Sequence, residues 1–197
     1  MRFILASNSP RRKELLENVH LDIAVEPADV DESGIETPVP SVLVMELASL
    51  KAANVAARHK KEDVLVIGGD TVVAVDNRIL GKPKDEEEAK AFLKLLSGRS
   101  HEVYTGIAVA RPRDGKVDAV FEKTTVRFRT LSEADIEAYV LSREPMDKAG
   151  AYGIQGLGSL LIEGIDGDYF NVVGLPVCRL GQLLREEFDV ELLAPPF

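Results

Sequence analysis

With 197 residues, 45% of them hydrophobic and 29% charged, the chain has a globular composition and enough length to bury its own core without disulfides or metals, which excludes a disordered or membrane-spanning class. A formal charge of -9, from 33 acidic against 24 basic residues, argues against a nucleic-acid partner, because duplex binding needs a basic face; a small anionic ligand held by a local group of cations stays open. The single cysteine, Cys178, rules out an intrachain disulfide, and no segment has signal-peptide or membrane-spanning character, so the expectation is a cytoplasmic protein with no membrane partner.

The opening FILAS (3–7) reads as a short buried strand that runs directly into a helix over 9–19, with Ser9 as N-cap and Pro10 at the first helical position. The stretch 21–40 holds a short strand and then a loop rich in Pro, Asp and Glu, and a helix is predicted over 41–60. Two β-branched runs within 63–80 flank Asp76 and Asn77, which tolerate left-handed turn geometry, and predict a β-hairpin. The acidic run 85–88 opens a helix that ends at Leu96, its carboxylates placed where the helix dipole favours them.

Alternation over 101–129 predicts two strands about a turn at 113–116, followed by a capped helix within 130–142. A glycine-rich stretch, KAGAYGIQGLG (148–158), leads into a predicted strand over 159–167, and 175–188 closes the pattern as a helix. Hairpins mixed with crossover helices imply an α/β fold, a mixed twisted sheet flanked by helices, organised as a single domain over 1–197 with two lobes around a cleft.

Five sites stand out chemically. Arg11, Arg12 and Lys13 occupy the first turn of a helix, where cations oppose the dipole; either they are a solvated turn paired with acids, or an anion such as phosphate resolves the conflict. Asp70 lies in VLVIGGDTVVAV, apolar on both faces, so its carboxylate must be paired, metal-bound or functional. Lys51 has Leu47, Ala48 and Val55 on its own helix face and either snorkels to water or aims its ammonium into a cleft beside the sheet.

Lys82, just past the hairpin, falls opposite Thr71 in a regular two-residue hairpin, on the face away from Asp70, and a bulge at Gly81 is predicted to turn it back. In the glycine-rich stretch, Gln155 carries a carboxamide able to read a base edge, although such a stretch is commonly no more than a turn. His20, His59 and His101 show no ligand spacing, so no zinc site is expected, and no Ser-His-Asp set accompanies Ser7 or Ser9.

Taken in order, SNSPRR (7–12), GGDTVV (68–73), LGKP (80–83) and EPMDKAGAYGIQG (144–156) resemble the motifs of the Maf family of nucleotide pyrophosphatases. The resemblance spans nearly the whole chain and implies a fold of the inosine triphosphate pyrophosphatase type. It further implies a nucleoside triphosphate substrate, a divalent cation such as magnesium or manganese, and the removal of unwanted nucleotides from the pool. By motif position, Asp70 matches the family's catalytic acid, while Ser7, Arg11, Arg12, Lys51, Lys82 and Gln155 match polar residues of its pocket. Arg11, Thr71 and Gln155 match its specificity positions.

KAGAYGIQG looks like the branch acting on dTTP and UTP rather than on 7-methyl-GTP. Water attacking the α-phosphorus needs charge neutralisation and positioning more than covalent help, so Asp70 is expected either to orient water or to bind the metal, with Glu32 as a second metal-side carboxylate. Lys51 and Lys82 are expected to act with Asp70. The family's association with septum formation supplies the alternative, a nucleotide-binding regulator of cell division without turnover. A homodimer, common among enzymes of this size, is the expected assembly.

Overall fold

The computed structural model describes residues 2–35 and 37–193. Its strands are β1 (Arg2–Leu5), β2 (Ile23–Val25), β3 (Val64–Val75), β4 (Arg78–Leu80), β5 (Ser100–Arg111), β6 (Lys116–Phe128) and β7 (Ile162–Asp166). Its helices are α1 (Pro10–Asn18), α2 (Pro40–Ala56), α3 (Glu86–Leu96), α4 (Glu133–Leu141), α5 (Tyr169–Val173) and α6 (Val177–Phe188). The strands form one mixed sheet in the order β2-β1-β3-β5-β6-β7, with β4 paired to β3. β1 is parallel to β2 and β3, whereas the β3–β4 and β6–β7 pairs are antiparallel. The predicted α/β class with a mixed sheet and flanking helices is what the chain adopts. Among the described residues, no helix is long and apolar enough to cross a membrane.

The chain divides into two compact units, and β3, β5 and β6 contribute residues to both. The first comprises the residues up to Asp70, Thr105–Glu122 and those from Gly174 onward. Its core joins Ile4, Val66 and Ala108 of the sheet to Ala48, Ala52 and Val55 of α2. Small residues dominate that contact because the helix backbone lies almost on the strands. A Cβ added to Gly68 would stand 2.2 Å from the carbonyl oxygen of Ala48, and one on Gly106 would stand 2.2 Å from that of Val44. Both glycines are therefore steric requirements for seating α2 against β3 and β5.

The second unit comprises Thr71–Tyr104 and Lys123–Val173. Its core gathers Val73, Val75 and Leu80 of the hairpin with Leu93 and Leu96 of α3, Val126 and Phe128 of β6, and Tyr139 of α4. The helix starts are built as the sequence indicates. Asp85 Oδ1 accepts from the Glu88 amide at 2.8 Å, and Ser132 with Asp135 forms a reciprocal capping box.

Three local expectations are corrected. The helix predicted to reach residue 60 ends at Ala56, because the amides of Arg58 and His59 bond to the carbonyls of Val55 and Ala56 in tightened turns, and the His59 ring is taken by Glu26 and Glu62. The strand predicted from 159 begins only at Ile162, since Gly156–Leu161 is a 3-10 turn whose start has a positive φ at Gly156. The bulge predicted at Gly81 is not formed: the β3–β4 ladder runs without a register shift to the Val73–Leu80 pair and stops there, leaving Gly81 outside it.

Candidate active site

The first turn of α1 is set by Ser9, whose Oγ accepts from the Arg12 amide at 3.4 Å, and by Pro10 at its start. From this turn the Arg12 side chain runs across Gly69. Its Nε donates to the Gly174 carbonyl at 2.8 Å and its Nη1 to Ser7 Oγ at 3.1 Å. A Cβ on Gly69 would lie 3.1 Å from Arg12 Nε, so the glycine leaves room for the guanidinium. Burial lowers the Arg12 pKa, the Asp70 charge raises it, Arg11 lowers it and Glu32 raises it. A guanidinium so placed keeps its charge. Arg12 is thus an anchored cation rather than a solvated one, and Arg11 is partly buried on the same turn.

Lys51 resolves its own ambiguity. The close approach of α2 to Gly68 carries this residue beside the strand, and its Nζ lies 2.6 Å from Asp70 Oδ1 and 2.9 Å from Glu32 Oε1. The Lys51 and Asp70 side chains are only 15% and 16% exposed, against 49% for Glu32. Two carboxylates therefore share one ammonium, and the carboxylate inferred from its apolar setting is paired. Removing one member of a fully buried pair costs roughly 3–5 kcal/mol, and less where, as here, solvent still reaches the charges.

Thr71, Lys82 and Gln155 belong to the second unit. Thr71 is partly buried on β3. The hairpin turns through Asp76 and Asn77 at φ of 49° and 59°, the geometry of a two-residue primed turn. Its ladder pairs Val75 with Arg78, Ala74 with Ile79 and Val73 with Leu80, and ends there. Gly81 is not a bulge: its carbonyl leaves the ladder and accepts from the Gly150 amide at 3.0 Å. Register consequently does not dictate the direction of Lys82, which is exposed.

Gln155 is exposed and extended at the head of the 3-10 turn Gly156–Leu161. The backbone around it is held by two side chains to which sequence reasoning assigned no role. Tyr139 Oη accepts from the Gly153 amide at 3.1 Å and donates to Glu144 Oε1 at 2.9 Å, and the two Glu144 oxygens accept from the amides of Leu157 and Gly158 at 3.0 Å each. Neither periodicity nor capping signals this, because the partners are five to fourteen residues apart in sequence.

Chemically, the first unit offers a helix N-terminus, a guanidinium, an ammonium and a hydroxyl, which together suit phosphate oxygens. Asp70 and Glu32 supply oxygen donors for a hard cation or a proton. Among the described residues, no group of three or more His, Cys, Asp or Glu side chains is gathered in a metal-binding arrangement. Cys178 is exposed on α6.

Sequence comparison agrees over almost the full length. A protein named dTTP/UTP pyrophosphatase from Clostridioides difficile (strain 630) is 53% identical over 192 residues, 98% of each chain. Proteins of the same name from Thermoanaerobacter sp. (strain X514) and Bacillus cytotoxicus are 50% and 49% identical, covering 98% and 95% of this chain and 100% and 96% of their own. Among solved structures, a HAM1 protein from Coxiella burnetii superposes with a TM-score of 0.47 at 16% identity over 65% of this chain and 73% of its own. The Staphylococcus aureus Ham1 protein gives 0.45 at 19% over 65% and 72%. The profile of the Maf-like protein family matches residues 2–187, and the chain belongs to that family.

Proposed function

We propose that this chain hydrolyses nucleoside triphosphates, dTTP and UTP before others, to the monophosphate and pyrophosphate. The observation that carries this reading is the Lys51, Asp70 and Glu32 charge cluster beside Arg12, in a chain about half identical to proteins named dTTP/UTP pyrophosphatase. Removal of unwanted nucleotides in the cytoplasm, by a homodimer, is the role and setting that go with it.

In this reading Arg12, Arg11 and Ser7 bind phosphate oxygens at the start of α1, where backbone amides and guanidinium forks favour the same anion. Lys51 and Lys82 neutralise charge that builds on the phosphates during bond cleavage. Asp70 accepts the proton of the attacking water and orients that water toward the α-phosphorus. Thr71, Gln155 and Arg11 discriminate among nucleotides, with the Gln155 carboxamide able to donate and accept at once.

The donor set fits a hard divalent cation such as magnesium or manganese, which characteristically takes one or two protein carboxylates and completes its shell with water and substrate phosphates. Asp70 and Glu32 would hold it. When bound, such an ion would polarise the phosphates and offset their charge.

The test is a product assay with canonical triphosphates, magnesium or manganese, and chromatography resolving monophosphate, diphosphate, pyrophosphate and phosphate. Monophosphate with pyrophosphate, fastest for dTTP and UTP, is expected. Diphosphate with phosphate overturns the site of attack, and tight binding without any product replaces the enzyme with a nucleotide-binding regulator.

A further inference from the structure

We propose that Glu144 and Tyr139 are positioning residues that fix the backbone on both sides of Gln155 and thereby set the nucleotide selectivity of the enzyme. This deepens the proposed function and rests on its assignment of Gln155 to base discrimination. On the N-terminal side, the Gly153 amide donates to Tyr139 Oη at 3.1 Å; on the C-terminal side, the amides of Leu157 and Gly158 donate to Glu144 at 3.0 Å each. The 2.9 Å hydrogen bond from Tyr139 Oη to Glu144 Oε1 closes the two halves into one brace.

The glycines in the segment are those the brace demands. Gly156 has a φ of +66°, and a Cβ there would stand 2.7 Å from Glu144 Oε2. A Cβ on Gly158 would stand 2.1 Å from the Gly153 carbonyl oxygen and 2.6 Å from Tyr139 Oη, so the segment folds back on itself with no space for a side chain. Burial opposes the charge of Glu144, yet the Gly158 and Leu157 amides, the Tyr139 hydroxyl and Lys148 together hold its pKa below the ordinary carboxylate value. Lys148 also donates to the Glu144 carbonyl at 2.6 Å. Gln155 itself stays exposed at the tip of a fixed backbone, which is what a reading side chain requires.

A carboxylate is needed for this. Oε1 and Oε2 each accept from a different backbone amide, and Oε1 also accepts from Tyr139. A glutamine presents one oxygen only, so one end of the brace meets an NH2 group instead.

The experiment compares wild type, E144Q, Y139F, Q155A and the double variant E144Q/Q155A, measuring kcat and KM for dTTP and for dCTP. E144Q and Y139F are expected to raise KM for dTTP about tenfold and to lower the dTTP-to-dCTP ratio of kcat/KM by a similar factor, with kcat within about threefold of wild type. The double variant should be no less selective than Q155A alone. Thermal unfolding identifies a variant that fails to fold, and Y139F, which deletes one oxygen, keeps the test informative in that case. If Q155A loses selectivity while E144Q and Y139F keep it, the brace is overturned and the role of Gln155 stands. If Q155A itself keeps selectivity, the reading of Gln155 has failed.

Discussion

The Lys51 ammonium stands 2.6 Å from Asp70 Oδ1, and the same nitrogen is 2.9 Å from Glu32 Oε1. Asp70 can therefore be neutralised without orphaning the lysine. D70N keeps an oxygen acceptor for Lys51, and Glu32 keeps it a counter-charge. We expect kcat to fall by roughly 10²–10⁴, the range typical for loss of a general base. The melting temperature should move by no more than about 4 °C, equivalent to about 1 kcal/mol in a chain of this size. Near-full activity in D70N removes Asp70 from the chemistry.

Glu32 is the outer, more exposed partner of Lys51. If it serves as a cation ligand, E32Q should raise the half-activating concentration of magnesium about tenfold, the lower end of the effect seen when a metal site loses a supporting group. The check is a magnesium titration of initial rate, and the lost rate should return as metal is added. A deficit that added metal leaves untouched would assign Glu32 to holding Lys51 and not to the cation.

Arg12 donates through two nitrogens, Nε to Gly174 O at 2.8 Å and Nη1 to Ser7 Oγ at 3.1 Å. Lysine has one nitrogen at the end of a flexible stem and cannot satisfy both acceptors in this fork geometry. R12K should therefore lose about 1–3 kcal/mol of stability from the unmade bonds, together with about a tenfold rise in KM for the triphosphate. Unchanged denaturant midpoints would show that the anchoring seen at Gly174 has no energetic weight.

How far the sequence could be read depended on the range of the interaction involved. Ser9 with Pro10, Asp85, the Ser132/Asp135 capping box and the Asp76–Asn77 turn all act within a few residues of themselves, and each was legible. Asp70 was marked by its apolar neighbours, but its partner Lys51 is nineteen residues away, and only the approach of α2 to Gly68 joins them. The bulge expected at Gly81 extrapolated a ladder that stops at Leu80, because the Gly150 amide, nearly seventy residues later, takes the Gly81 carbonyl. Glu144 and Tyr139 were invisible for the same reason: a polar side chain that braces a loop shows no period.

His101 gives the pH dependence of folding a definite sign. It is 2% exposed, its Nε2 is 2.6 Å from Tyr152 Oη, and its ring stacks edge-on with Phe128 at 5.0 Å. Burial pushes its pKa down to about 4, whereas in the unfolded chain it titrates near the ordinary histidine value of about 6.5. Between these values the unfolded chain binds a proton that the folded chain does not. Stability from this group is therefore present above about pH 6.5 and is lost as the pH falls toward 4, on the order of 3 kcal/mol over the window. His59 works in the opposite sense: hydrogen bonds to Glu26 and then Glu62 raise its pKa, so its contribution is complete below about pH 6.5 and fades as the pH climbs through the raised value. Because His101 is the more deeply buried, it should dominate the acid side. The double variant H101F/Y152F removes the titrating ring together with the hydroxyl it would otherwise leave unpaired, and urea midpoints measured from pH 4.5 to 7 should then rise less steeply with pH than in the parent chain. An unchanged slope would mean that the folded protein accommodates the protonated ring, and the buried neutral imidazole would have to be abandoned.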